Sequence, residues 1–135
     1  MPVILWCDSM LTGIQEVDEQ HENLTAMINE LYYAYVDGKD QTVLSKIISG
    51  VSDYTKDHFS TEERLMKEHE YPDTTAHMQQ HRKFEDKSID FLIAYTEGKH
   101  ELTSEVLDYL TDWWLNHIQG DDRRLTDFLL ELDCQ

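Results

Sequence analysis

Histidine and acidic side chains recur in this chain at spacings that would let them meet at one metal centre. His58 stands four residues before Glu62, and His77 stands four residues before His81. On a helix, residues four apart lie on one face, about 6 Å apart along the axis. Buried imidazoles and carboxylates are costly unless something cationic satisfies them, so the pattern predicts a buried metal site with iron as the leading candidate. The candidate ligands are His21, His58, Glu62, His77, His81, His117 and Asp122.

No single motif in the chain carries this prediction. One His-x-x-x-His pair is more often a solvated helix face, because short motifs match by chance. The HMQQH sequence is not a zinc-protease motif, since Met78 stands where a general-base glutamate would be needed. The co-occurrence of candidate ligands on four predicted helices favours a metal site. The ligand types alone suit iron, manganese and zinc.

Four helices are predicted to position these side chains, because apolar residues repeat every three or four positions. We expect an all-α, antiparallel up-down-up-down four-helix bundle, since short links favour that topology. The expected single domain comprises an N-terminal arm over residues 1–17, anchored by Trp6, and the bundle over residues 18–135. The predicted inner faces include Tyr35 and Leu92. The helices are expected from about Asp18 to the stop at Gly38, from Asp40 to about Glu68, from Asp73 or Thr74 to Gly98, and from Thr103 or Ser104 through Leu129.

The composition argues against several classes of partner. With 28 acidic and 11 basic residues the net charge is −17, which repels phosphate backbones and anionic lipids, so we expect neither nucleic-acid nor membrane binding. The apolar run from Pro2 to Cys7 is too short for a secretory signal and lacks a positive flank. Cys7 and Cys134 are isolated, so reduced thiols in the cytoplasm are expected, with a bridge between them as the minority alternative.

Five segments of the chain together resemble the bacterial hemerythrins, in order and at family spacings. The resemblance covers essentially the whole sequence, and its motifs are WCDSMLTG, VDEQHENL, HFSTEERLMKEHEYP, HMQQHRKF and WWLNHIQGDD. It implies a four-helix bundle that binds dioxygen reversibly at a non-haem centre of two iron ions bridged by an oxo or hydroxo group. By position, His77, His81 and His117 would hold one iron, His21 and His58 would hold the other, and Glu62 and Asp122 would bridge both.

The implied ligand count leaves room for one small ligand. Two six-coordinate irons offer twelve positions, and the two carboxylate bridges, the oxo or hydroxo bridge and the five imidazoles fill all but one. By analogy with the family, the open position is on the iron held by His21 and His58. Ferritin-like diiron enzymes use a set richer in carboxylates, so the imidazole-rich set here favours reversible oxygen capture over enzymatic chemistry.

The spacing of the last two candidate ligands does not suit a regular α-helix. His117 and Asp122 are five residues apart, which places them about 140° apart around an ideal helix. Asp121, four residues from His117, is the better placed carboxylate by geometry alone, but the family spacing favours Asp122. We therefore predict a π-bulge near Gly120, since one inserted residue would bring both side chains to one face.

Further expectations concern the surroundings of the centre and the remaining histidines. Trp113 is expected to exclude water from bound oxygen, with ordinary core packing as the alternative, and Ile118 and Phe59 are weaker candidates for the same oxygen pocket. His69 and His100 are expected to be exposed. The rival functions are a diiron enzyme acting on peroxide or nitric oxide, an iron-cluster repair or iron-storage protein, and a signalling module with an unknown protein partner. The chain is expected not to be an enzyme.

Overall fold

The computed structural model describes residue 4 and residues 10–99 and 101–133, and for residues 132 and 133 it describes the backbone only. The predictions made for Trp6, Cys7, His100 and Cys134 lie outside the described residues. The helices are α1 (Gln15–Val36), α2 (Asp40–Glu68), α3 (Thr74–Thr96), α4 (Leu102–Trp113) and α5 (Arg123–Asp133), with a π-helical segment (Trp114–Asp122) joining the last two. We refer to α4, the π-helical segment and α5 together as the fourth rod.

The described residues form a four-helix bundle without strands, as predicted. Helix α1 packs against α2 and α4, and α3 packs against α2 and α4. Gly38 and Gly98 follow α1 and α3 with φ of 72° and 74°, a conformation that costs glycine little and that ends helices. No helix of the described chain is long and apolar enough to cross a membrane.

Helix α1 begins three residues before the predicted start at Asp18. The Asp18 carboxylate lies within the first turn and accepts hydrogen bonds from the Thr12 backbone amide (2.7 Å), the Thr12 hydroxyl (2.6 Å) and the Gly13 amide (3.2 Å). It therefore holds the preceding loop against the helix instead of capping the first turn. Nearer the start of the chain, the Asn29 side chain exchanges two hydrogen bonds with the backbone of Ile4, at 3.0 and 2.7 Å.

The predicted inner faces are buried or partly buried, with two exposed exceptions. Tyr35 is 47% exposed and Leu92 is 51% exposed. Tyr35 lies in the last turn of α1, where its ring borders a surface groove beside the start of α4. Leu92 follows the buried Phe91, and consecutive helical residues point about 100° apart, so Leu92 points away from the side of α3 that buries Phe91.

The polar candidate ligands separate two apolar clusters along the bundle. The larger cluster contains residues of every rod, including Leu24, Ile47, Phe84 and Leu110. The smaller cluster, at the other end, is formed by Met66, Tyr71, Leu125 and Leu129. Each rod of the bundle thus places its histidines or carboxylates in one layer between two blocks of apolar packing.

Candidate metal centre

All seven candidate ligands are buried and lie in this polar layer. They form two groups that share one member, and within each group one nitrogen or oxygen atom of every residue lies within 4.8 Å of those of the others. The larger group contains Glu62, His77, His81, His117 and Asp122, and the smaller contains His21, His58 and Asp122. His21 lies in the early part of α1, yet it is in the same layer as the late part of α2, because the two helices run in opposite directions.

The π-helical segment explains how His117 and Asp122 reach one face. A π-helix bonds each residue to the one five positions on, so residues at that spacing are neighbours. The segment spans nine residues, Trp114–Asp122, which confirms the predicted π geometry and extends it well before Gly120. The Nε2 atom of His117 lies 2.9 Å from Oδ1 of Asp122.

The imidazoles point their Nε2 atoms at the two carboxylates. Oδ1 of Asp122 lies 3.0 Å from His77 and 2.9 Å from His117, whereas Oδ2 lies 2.9 Å from His21 and 2.8 Å from His58. One oxygen of this carboxylate therefore faces each group. Oε1 of Glu62 lies 3.2 Å from Nε2 of His58 and 3.1 Å from that of both His77 and His81.

Unsatisfied atoms in this layer show that the residues fit a metal. Oε2 of Glu62, Oδ1 of Asp122 and Nε2 of His117 are buried without a hydrogen-bond partner among the described residues. The last two are 2.9 Å apart, yet their orientation is not that of a hydrogen bond. Metal–ligand bonds of about 2.1 Å place neighbouring ligands about 3 Å apart in an octahedral site, which matches the separations seen here.

The outer nitrogens of three imidazoles have partners that hold the rings in place. Nδ1 of His58 is 2.7 Å from Oε1 of Gln20, and Nδ1 of His81 is 3.1 Å from Oε2 of Glu63. Such outer acceptors fix the tautomer that presents Nε2 to a metal. Sequence reasoning missed both residues. Gln20 and Glu63 adjoin the candidate ligands His21 and Glu62 in sequence. The spacing does not show that each of them contacts a histidine on the next helix.

Asp121 also acts as an outer acceptor. Its Oδ2 lies 3.2 Å from Nδ1 of His117, and it also pairs with Arg124. The hydrogen bond with His117 holds the pKa of Asp121 below its ordinary value. The structure therefore separates the two consecutive aspartates, with Asp122 inside the cluster and Asp121 behind a histidine.

Without a metal, His58 and His77 are protonated imidazoles beside ionised carboxylates. Burial is the largest effect on the pKa of His58 and lowers it, but Glu62 and Asp122 together outweigh burial and raise the pKa to about 10. Burial also lowers the pKa of His77, while hydrogen bonds with the same carboxylates raise it to about 10. Burial raises the pKa of Asp122, yet the nearby His117 and His58 bring it well below the ordinary value.

These shifts predict that metal binding releases protons. At pH 7, below a pKa of about 10, His58 and His77 are protonated in the metal-free protein, and a metal requires the neutral imidazole. We expect about two protons to leave these two rings, and the apparent metal affinity to rise as the pH is raised toward 10. Calorimetric titration of the metal-free protein in buffers of different ionisation enthalpy measures the release. A heat that does not depend on the buffer would contradict it.

Aromatic rings cover one side of the cluster. We call Tyr54, Phe59, Phe84 and Trp113 the aromatic layer. Trp113 stacks on His117 with ring centroids 3.8 Å apart, Phe59 stacks on His81 at 3.8 Å, and Tyr54 stacks on His58 at 5.0 Å. Phe84 packs at 4.4 Å from Trp113 and joins these rings into one wall.

The predicted pocket residues lie mainly beside the larger group. Trp113 and Phe59 stack on two of its histidines, and Ile118 is 1% exposed. Tyr54, which the sequence did not place in the oxygen pocket, is the layer member stacked on His58 of the smaller group. A cleft of about 360 Å³ borders the cluster at His77 and is lined also by Tyr71, Asp73, Ala76, Gln80, Asp121 and Arg124. His69 is exposed, as predicted.

Comparison with known proteins agrees with this site. Residues 12–129 match the family described as "Hemerythrin HHE cation binding domain". The chain is 32% identical to the bacteriohemerythrin of Stenotrophomonas maltophilia and 33% identical to that of Pseudomonas aeruginosa, each over 94% of this chain and 82% of the relative. A crystal structure of a hemerythrin point mutant superposes with a TM-score of 0.83 at 26% identity, covering 94% of this chain and 97% of that one.

All four rods of the bundle contribute to one buried cluster of imidazoles and carboxylates. This fold and this site are those of a non-haem metal protein. The match over most of its length shows that the chain belongs to the hemerythrin family. The resemblance expected from the sequence motifs is thereby confirmed.

Proposed function

We propose that this protein binds dioxygen reversibly at a centre of two iron ions bridged by an oxo or hydroxo group, as an oxygen carrier, store or sensor. Members of the hemerythrin family generally bind oxygen and are not generally enzymes. The observation that carries the proposal is the position of Asp122, whose two oxygens face different groups of histidines at 2.8–3.0 Å. We place the protein in the cytoplasm because Cys7 and Cys134 are isolated in the sequence.

The two groups supply unequal sets of nitrogen ligands. We assign His77, His81 and His117 to one iron and His21 and His58 to the other, with Glu62 and Asp122 bridging. The ion with two imidazoles then keeps one position for a small ligand. Two ferrous ions supply, when bound, the two electrons that reversible oxygen binding requires.

The protein's own contribution is to hold and shield this centre. Gln20, Glu63 and Asp121 accept hydrogen bonds at the outer nitrogens and keep three rings in position. The aromatic layer excludes water from one side, and we propose that Trp113, Phe59 and Ile118 form the wall of the oxygen pocket. When water is excluded, protons are scarce at the centre. Bound oxygen then leaves less readily as a reduced, protonated species, and autoxidation is slower.

Replacing Trp113 with alanine is expected to spare the irons and speed autoxidation. The stacked indole would be lost from His117, water would reach the ring, and we expect the autoxidation rate to rise about tenfold, equivalent to about 1.4 kcal/mol in the barrier. The rate is followed optically in air-saturated buffer. Leu110→Ala is the control, because it opens a smaller cavity one turn earlier in α4, away from the histidine that Trp113 covers. Equal rates in the two variants would contradict the shielding role.

The proposed function is tested by loading the metal-free protein with ferrous iron under nitrogen. We expect two irons per chain and an absorption band that appears with oxygen and disappears on deoxygenation over repeated cycles. One iron per chain, or a spectrum that does not respond to oxygen, would overturn the proposal. Rapid steady turnover of hydrogen peroxide or nitric oxide, faster than oxygen dissociation, would favour the diiron enzyme instead.

A further inference from the structure

The hydroxyl of Tyr54 is a buried hydrogen-bond donor that no described residue satisfies. The side chain is 5% exposed, and no described residue accepts a hydrogen bond from its hydroxyl. Leaving such a group unpaired in a protein interior is costly, and native structures rarely do so without a reason. A phenylalanine would fill the same space without that cost.

The Tyr54 side chain lies beside the smaller histidine group. It lies on α2 one helical turn before His58 and two turns before Glu62, on the same face. Its ring is stacked on that of His58, with centroids 5.0 Å apart and planes 15° apart. His58 belongs to the group with two imidazoles, the half of the centre to which the proposed function assigns the open position.

Among the other groups around this half, the Thr25 hydroxyl and the Trp114 indole are engaged, whereas the outer Nδ1 of His21 has no partner among the described residues. The indole of Trp114 donates to the Thr25 hydroxyl at 2.8 Å, and that hydroxyl donates to the backbone oxygen of His21 at 2.8 Å. The indole nitrogen of Trp113 lies beside the Tyr54 oxygen, but an indole only donates and so cannot accept the Tyr54 proton, and its ring is stacked on His117 of the larger group. Tyr54 is thus the unpaired hydroxyl that accompanies the smaller group among the described residues.

We propose that the Tyr54 hydroxyl donates a hydrogen bond to the small ligand held beside His21 and His58. The ligand is a diatomic molecule or a small linear anion with an exposed lone pair, and its identity as dioxygen rests on the proposed function. A phenol is protonated at neutral pH, so it can donate to a ligand that gains negative charge, and such charge-assisted bonds are the stronger ones. Tyr54 is thereby a ligand-binding residue as well as a packing residue.

The test compares Tyr54→Phe with the intact iron-loaded protein, using azide on the oxidised centre as the probe. The variant keeps the ring against His58, so iron content and thermal stability should stay close to those of the parent. We expect azide to bind about tenfold more weakly and oxygen to dissociate about tenfold faster, the effect of one lost hydrogen bond. Tyr109→Phe is the matched control, because this partly buried tyrosine packs against Phe84 and Phe91, apart from the imidazoles. It should change neither quantity.

A second measurement needs no variant. The vibrational bands of azide bound to the parent protein should shift when water is replaced by deuterium oxide, because the donated proton exchanges. Absence of a shift, or equal azide affinities in the parent and Tyr54→Phe proteins at equal iron content, would overturn the inference. If the parent binds azide but not oxygen, the proposed function fails, and the azide measurements alone still decide the role of Tyr54.

Discussion

Replacing Glu62 with alanine is expected to strip metal from the protein. A single oxygen of this carboxylate lies 3.1–3.2 Å from Nε2 of His58, His77 and His81, and the other oxygen has no partner among the described residues. Loss of an outer-shell partner costs about 10- to 100-fold in metal affinity, and loss of a shared ligand should cost more. Iron per chain, measured after desalting, should therefore fall well below two.

The adjacent glutamate provides the control for this experiment. Glu63 lies 3.1 Å from the outer nitrogen of His81 and is not a member of either candidate ligand group found among the described residues. Glu63→Gln should weaken iron binding within the range expected of an outer partner and retain full occupancy at high iron concentration. Glu62→Gln separates the loss of charge from the loss of volume. Unchanged iron content in both Glu62 variants would show that this carboxylate is not a metal ligand.

Removing the metal is expected to lower stability substantially. The candidate ligands come from all four rods of the bundle, so a bound ion links elements that are distant in sequence. The metal site does not exist in the unfolded chain. At a free metal concentration about 1,000 times the Kd, binding stabilises the folded state by about 4 kcal/mol per site. We expect chelation to lower Tm by more than about 10 °C, as measured by thermal unfolding followed by circular dichroism.

The size of this effect should depend on pH. The pKa values of His58 and His77 are raised to about 10 in the folded, metal-free protein. Because these pKa values are higher in the folded than in the unfolded state, protonation of the two histidines stabilises the fold. The contribution is complete below the unfolded pKa of about 6.5 and is lost as the pH rises toward 10. The metal-free protein should thus lose stability from pH 6.5 upward. The difference in Tm between the metal-bound and the metal-free protein should increase over the same range. Equal melting temperatures with and without chelator at pH 8 would contradict the prediction.

Much of the bundle could be predicted from the sequence because apolar periodicity and helix stops are local signals. Gly38 and Gly98 end their helices as expected, and the π geometry followed from a five-residue spacing between His117 and Asp122. The start of α1 could not be predicted, because Asp18 has the residue type of a cap and only the folded loop shows that it contacts Thr12 and Gly13.

The outer parts of the candidate site were less accessible to sequence reasoning than the candidate ligands. A ligand pair reveals itself by residue type and spacing on one helix. Gln20 and Asp121 act on His58 and His117 through hydrogen bonds, and neither amide nor carboxylate is unusual on a helix surface. Tyr54 has the spacing of any core aromatic residue, and only the folded structure shows that its hydroxyl lacks an acceptor among the described residues.

The π-helical segment has a consequence for protein engineering. Each residue of an α-helix advances the side-chain direction by about 100°, so one extra residue in the wider turn offsets the apolar stripe on its far side. On a continuous α-helix Asp122 and Thr126 would lie about 140° and 180° around the axis from His117, yet both are 0% exposed. A redesign that extends a regular heptad from α4 through α5 would rotate both residues away from the core, and an alignment to an α-helical homologue without a one-residue gap there would misplace every later position.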